Sequence, residues 1–155
     1  MAAGGSESPV RLAAETWESL FRAQVAVMRR LQSARAFRKL AVNEYDVLFT
    51  LSRCPSGWLR LNELNDNVLL SQSSLSRLVE RLEKRGLVAR MPAPEDGRGI
   101  LLKLTDEGRE LQKEIGREHV RDISALVGPA LTPAEQKELM RLTDKLRSSL
   151  GPLPK

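Results

Sequence analysis

Between Ser71 and Arg81 the chain reads SQSSLSRLVER, a run rich in short hydroxyls with one primary amide and two guanidiniums. Its polar members Gln72, Ser73, Ser74, Ser76, Arg77 and Arg81 offer hydrogen bonds rather than proton or electron transfer, and a guanidinium can grip two acceptors at once. Further on, Asp96-Gly97-Arg98-Gly99 sets a carboxylate and a guanidinium among glycines. The acceptors that such groups match are the base edges and phosphates of a duplex. Arg77 suits a bidentate contact to a guanine edge, and Gln72 or the serines suit bases or phosphate oxygens, with the assignment among them open. Arg98 suits the narrow, electronegative minor groove. Asp96 suits shaping its turn by accepting backbone amides, or pairing with and orienting Arg98.

Other chemistry has little to work with. Cys54 is the only cysteine and His119 the only histidine, so an intramolecular disulfide is impossible and a His/Cys metal cluster is close to excluded. A nucleophile with its base and a phosphate-cradling glycine loop are both missing, so neither an enzyme nor a cofactor is expected. Cys54 follows a helix whose negative dipole end disfavours the thiolate, and a buried inert thiol is expected. His119 is expected at a surface or interface.

The reading run needs a scaffold, and the flanking sequence supplies one. Ser71 can cap a helix with the stripe Leu75, Leu78, Val79 and Leu82, which turns the polar run outward. Gly86 then Leu87 has the form of a Schellman stop. Leu87–Met91 and Ile100–Leu104 are short apolar strands around PAPEDGRG, a hairpin tip. Upstream, a brief strand at 58–61 and a helix at about 61–68 precede the run. Asn43 offers the cap of a short helix through Tyr45, Val47, Leu48 and Leu51 that ends at Pro55 and Gly57. Helix, turn, helix and hairpin over about 43–104 outline a winged helix-turn-helix, in a fold that is mainly α with a small β-wing. Serines are poor helix formers, and three in the first turns of the reading helix fit close approach to a groove.

Long helices flank this unit. From Pro9 to about Arg35, Leu12, Trp17, Leu20, Phe21, Val25, Met28 and Leu31 recur at helical spacing. Thr105 can cap another helix that Gly128-Pro129 breaks, and Thr132-Pro133-Ala134-Glu135 is a capping box opening a last helix striped by Leu139, Leu142, Leu146 and Leu150. These stripes exceed what one small winged domain needs, which points to a homodimer with its helical layer at about 10–35 and 105–150. Residues 1–9 read as a disordered tail and 10–155 as one domain. Trp17, Phe21, Tyr45 and Phe49 form a candidate pocket for a small aromatic effector, although aromatics at such spacing also serve as core.

Across 155 residues the net charge is +5, and residues 70–104 hold seven basic against four acidic side chains. That balance favours a polyanionic partner. No apolar run approaches the roughly 18 residues of a membrane span, and MAAGGSESP has neither a basic n-region nor an apolar h-region, so a cytoplasmic protein is expected.

Three segments together, SRLVERLEKRGLV at 76–88, DGRG at 96–99 and LTDEGR at 104–109, resemble the MarR family of transcriptional regulators, over nearly all of the chain after Pro9. The resemblance implies a homodimer whose two winged units read a palindromic operator in double-stranded DNA. It implies a repressor, less often an activator, relieved by a small aromatic or phenolic ligand or by oxidation. Ser73, Ser74, Ser76 and Arg77 match the groove-reading positions and Arg98 the wing arginine, while Gly97 stands where a second basic residue is common. The rival from another class is a winged-helix interaction or assembly module that does not read sequence. Such a module would expose apolar anchors on the outer face of the reading helix.

Overall fold

The computed structural model describes residues 8–66, 68, 70–95 and 97–151. The chain forms two compact units, 1–119 and 120–155.

In the first unit α1 runs Pro9–Gln32, with proline at its start and Arg29 and Arg30 in its last turn. It stops short of Arg35 because Ala34 is extended (φ −69°, ψ 153°), and a 3-10 turn at Arg35–Arg38 follows. α2 spans Val42–Ser52. Its cap corrects the sequence reading: Asn43 lies inside the helix, while the amide of Ala41 donates to the Glu44 carboxylate at 3.0 Å. The cap thus comes from the third helical residue rather than from the residue preceding the helix.

β1 (Leu59–Arg60) leads into α3 (Leu61–Asn65), three residues shorter than expected. α4 covers Gln72–Lys84, capped by Ser71, whose Oγ accepts from the Ser74 amide at 3.2 Å. Its far end is the Schellman stop: the Leu87 amide reaches the Leu82 carbonyl at 3.0 Å and the Gly86 amide that of Glu83 at 2.9 Å. Gly86 has φ +73°, the left-handed backbone that favours glycine.

β2 (Val88–Pro92) and β3 (Ile100–Leu104) form the hairpin, in register from Val88 opposite Leu104 to Pro92 opposite Ile100. β1 adds antiparallel to the other edge of β3, giving the sheet order β1-β3-β2. α5 spans Asp106–Val127 and is capped by Thr105.

Leu48, Leu51, Leu64, Leu75, Leu78, Leu82 and Leu102 are fully buried. They come from α2, α3, α4 and β3, so one core fastens the reading helix to the base of the wing. Each such side chain contributes roughly 1.5–3 kcal/mol by leaving water.

The second unit holds the end of α5 and α6 (Pro133–Ser149). The Thr132–Glu135 capping box closes as expected, with Thr132 N donating to Glu135 Oε2 at 2.8 Å and Glu135 N to Thr132 Oγ1 at 3.3 Å. α6 buries no residue, and Leu139, Leu142 and Leu146 are each nearly half exposed. Among the described residues no helix is long and apolar enough to cross a membrane.

Candidate nucleic-acid interface

Burial of Leu75, Leu78, Val79 and Leu82 turns the opposite side of α4 to solvent. Gln72, Ser73, Ser74, Arg77 and Arg81 are exposed there and Ser76 is half-buried. The residues are not equivalent. Ser71 Oγ donates to Ser74 Oγ at 2.8 Å and lies 3.3 Å from Ser73 Oγ, so the serines also secure the first turn of the helix. Local capping is a second reason for serine here, beyond the groove approach that the sequence suggested.

The two arginines differ as well. Among the described residues no carboxylate pairs with Arg77. Arg81 lies 3.7 Å from Glu44, which also receives Arg85 at 3.6 Å. Glu44 is only 13 % exposed, and its carboxylate caps α2 while holding the last two turns of α4. Sequence reasoning missed it, although Ala41-x-x-Glu44 carries half of a capping-box pattern.

At the wing, the Ala93 amide donates to the Gly99 carbonyl at 2.8 Å and the Gly97 amide to the Ala93 carbonyl at 3.1 Å. Gly97 has φ +64°, so a side chain there would be strained. Arg98 is exposed. Asp96 lies outside the described residues. Gln72, Ser76 and Arg98 line one concavity of about 460 Å³, together with Arg60, Asn62 and Gly99. The start of the reading helix and the wing tip therefore face the same space. Arg60 was not among the expected site residues, because nothing local marks a strand-end arginine as reaching the wing.

The four aromatics expected to form one pocket separate into two pairs. Trp17 stacks on Phe21 at 5.9 Å, and both are exposed on α1. Tyr45 stacks on Phe49 at 6.1 Å on α2, and Tyr45 is buried. Helical spacing along the chain reveals which aromatics share a helix but not which helices meet. A cleft of about 740 Å³ is lined instead by Met28, Phe37, Val42 and Leu70 with the polar Gln24, Gln32, Asn43 and Asp46. Burial raises the Asp46 carboxyl above its ordinary value, and the nearby His119 partly opposes that rise.

His119 is half-buried, edge-on to Phe37 at 4.9 Å and to Tyr45 at 5.4 Å. Cys54 is half-buried rather than buried, because its Sγ stays at a loop edge and donates to the Trp58 carbonyl at 3.2 Å.

A helix-turn-helix on one core with a three-stranded wing, bearing an outward face of amide, hydroxyl and guanidinium groups, defines a winged-helix DNA-binding protein. A MarR-family sequence model matches residues 39–99. The DNA complex of Sco3205, a MarR-family transcriptional regulator from Streptomyces coelicolor, superposes with a TM-score of 0.77 at 32 % identity, covering 90 % of this chain and 88 % of that one. The HTH-type transcriptional repressor Rv2887 of Mycobacterium tuberculosis is 30 % identical over 129 residues, 83 % of this chain and 91 % of its own length. PcaV from Streptomyces coelicolor, a transcriptional regulator solved with its natural ligand, has a TM-score of 0.66 at 28 % identity, with 96 % and 98 % of the two chains covered. This chain belongs to the MarR family and is a transcriptional regulator of the helix-turn-helix type. That membership sets the enzyme reading aside.

Proposed function

We propose that the chain is a homodimeric repressor that reads a palindromic operator and releases it on binding a small aromatic ligand. The observation that carries the DNA reading is the concavity shared by Gln72, Ser76 and Arg98, with Arg77 exposed on the same helix. Hydroxyl, amide and guanidinium groups at one helix start serve base edges and phosphates, and a wing cation beside them serves the adjoining minor groove. The Sco3205 complex with DNA and the repressor Rv2887 support the same reading.

The dimer is supported by apolar faces on α1 (Val10, Leu12, Trp17, Phe21) and on α6 (Leu139, Met140, Leu142, Leu146) that stay exposed in the single chain. Twofold pairing with a second copy covers like with like and matches an operator of two half-sites.

The cleft beside Asp46 is the effector site in this reading, and the ligand-bound PcaV relative favours a small-molecule effector. Apolar walls suit a ring. Asp46 and the amide oxygens of Gln24, Gln32 and Asn43 suit a phenolic donor, and no cation stands among the described lining residues to hold a carboxylate.

The test is selection of bound duplexes from a random pool at about 0.15 M salt, where non-specific phosphate binding is already weakened. A palindrome with half-sites roughly one helical turn apart is expected. Recovery of no motif by folded, dimeric protein would favour the assembly-module reading instead.

A further inference from the structure

The wing tip carries an electrostatic deficit. From Pro92 to Gly99 it holds Glu95, Asp96 and one cation, Arg98, a net charge of −1 on an element that must approach a polyanion. A cation from outside the tip lies within reach. Arg60 closes β1 opposite Leu101 of β3. Its side chain is 32 % exposed, and its Nη2 donates to Glu95 Oε2 at 3.1 Å. A Cβ on Gly99 would come within 2.7 Å of Arg60 Nη1, so the missing side chain at 99 leaves the guanidinium its room.

We propose that Arg60 is a further DNA-binding residue, which seats a backbone phosphate in the concavity between the start of α4 and the wing tip. This rests on the DNA-reading function proposed above. The partner it holds in the free protein is easily given up: Glu95 is 81 % exposed, and an exposed ion pair is worth little in water. A phosphate offers two oxygens to the guanidinium fork in a charge-assisted bidentate pair, which favours exchange of Glu95 for DNA. Glu95 keeps Arg60 oriented until the duplex arrives, and among the other described lining residues Asn62, Asn65, Gln72, Ser76 and Arg98 carry donors against a single carboxylate, Asp66.

The experiment is a salt series of binding to the selected duplex and to an unrelated duplex, for the full chain and for R60Q, R60K, E95Q and G99A. Arg60→Gln should weaken binding to both duplexes about tenfold and make the slope of log K against log salt shallower by about 0.9, as loss of one phosphate contact requires. Arg60→Lys should keep the slope. Glu95→Gln should tighten binding without changing the slope, because it removes an anion and releases Arg60. Should Arg60→Gln fail to fold, Gly99→Ala keeps the cation in the chain but crowds its guanidinium end, and should move the slope in the same direction by a smaller amount. A wild-type slope in Arg60→Gln, or weakening by Glu95→Gln as large as that by Arg60→Gln, would show that Arg60 only braces the wing. If the wild type binds neither duplex, the DNA-reading function falls and Arg60's role with it; if the wild type binds and the slopes match, only the role of Arg60 falls.

Discussion

The hydroxyl of Thr105 donates to the carbonyl of Gly86 at 2.6 Å and accepts from the amide of Gly108 at 3.0 Å. One side chain thus starts α5 and ties it to the residue that stops α4. Gly108 completes the junction by lying against the Leu87 carbonyl, where a Cβ would collide with the backbone. The Leu-Thr-x-x-Gly pattern at 104–108 is therefore a three-part joint, and each of its polar and glycine positions has a contact that requires it.

Gly108→Ala should lower stability by about 1–3 kcal/mol, since backbone rather than a flexible side chain blocks the added methyl. The sign is diagnostic, because Gly to Ala within an exposed helix gains about 1 kcal/mol. Thermal or urea unfolding decides it, and a stabilised variant would remove the close approach.

Arg77→Ala should cost about 1–3 kcal/mol on the operator and relax preference at one base position. Binding to a duplex library scored position by position is the check. A uniform loss at every position would make Arg77 a phosphate contact instead.

Arg98→Ala should weaken operator binding and flatten its salt dependence by about one unit. Titration across a range of KCl concentrations reads this directly. An unchanged slope would keep the wing tip off the DNA.

Asp46→Asn should raise the melting temperature slightly near neutral pH, with the gain disappearing in acid. The native carboxyl binds its proton more readily than the unfolded one, because burial raises it. Wild-type stability therefore falls as pH rises through the interval between the ordinary aspartate value and the raised one, and stays lower above it. Melting curves of both proteins over an acid-to-neutral series test the sign; a gap independent of pH would detach it from titration.

Leu142→Glu with Leu146→Glu should dissociate the proposed dimer, as roughly 1.5–3 kcal/mol of burial per leucine is lost and a charge is placed in its stead. Sedimentation of the pair variant at micromolar concentration gives the answer. A dimer of undiminished strength would place the interface away from α6.

Features written in local chemistry were legible in the sequence. Ser71, Gly86, Thr105 and the Thr132–Glu135 box mark helix ends through contacts only a few residues long, and each was found where read. Long-range partners were not. Spacing along α1 and α2 could not reveal that Trp17 and Phe21 face solvent while Phe37, from a 3-10 turn, reaches Tyr45 and His119. Arg60 to Glu95 spans 35 residues and Arg81 to Glu44 slightly more, and neither separation leaves a pattern to read. Asn43 misled because it is a good capping type one place inside a helix that Glu44 caps.

Both ends of α4 are fastened, by Ser71 at one and by the Gly86 turn with its Thr105 tie at the other. A helix held this way reaches the duplex already ordered, so association incurs no conformational entropy cost for folding it. Encounter is then governed by diffusion and by the chain's net charge of +5, and a well-matched site is distinguished by how long the complex lasts rather than by how fast it forms.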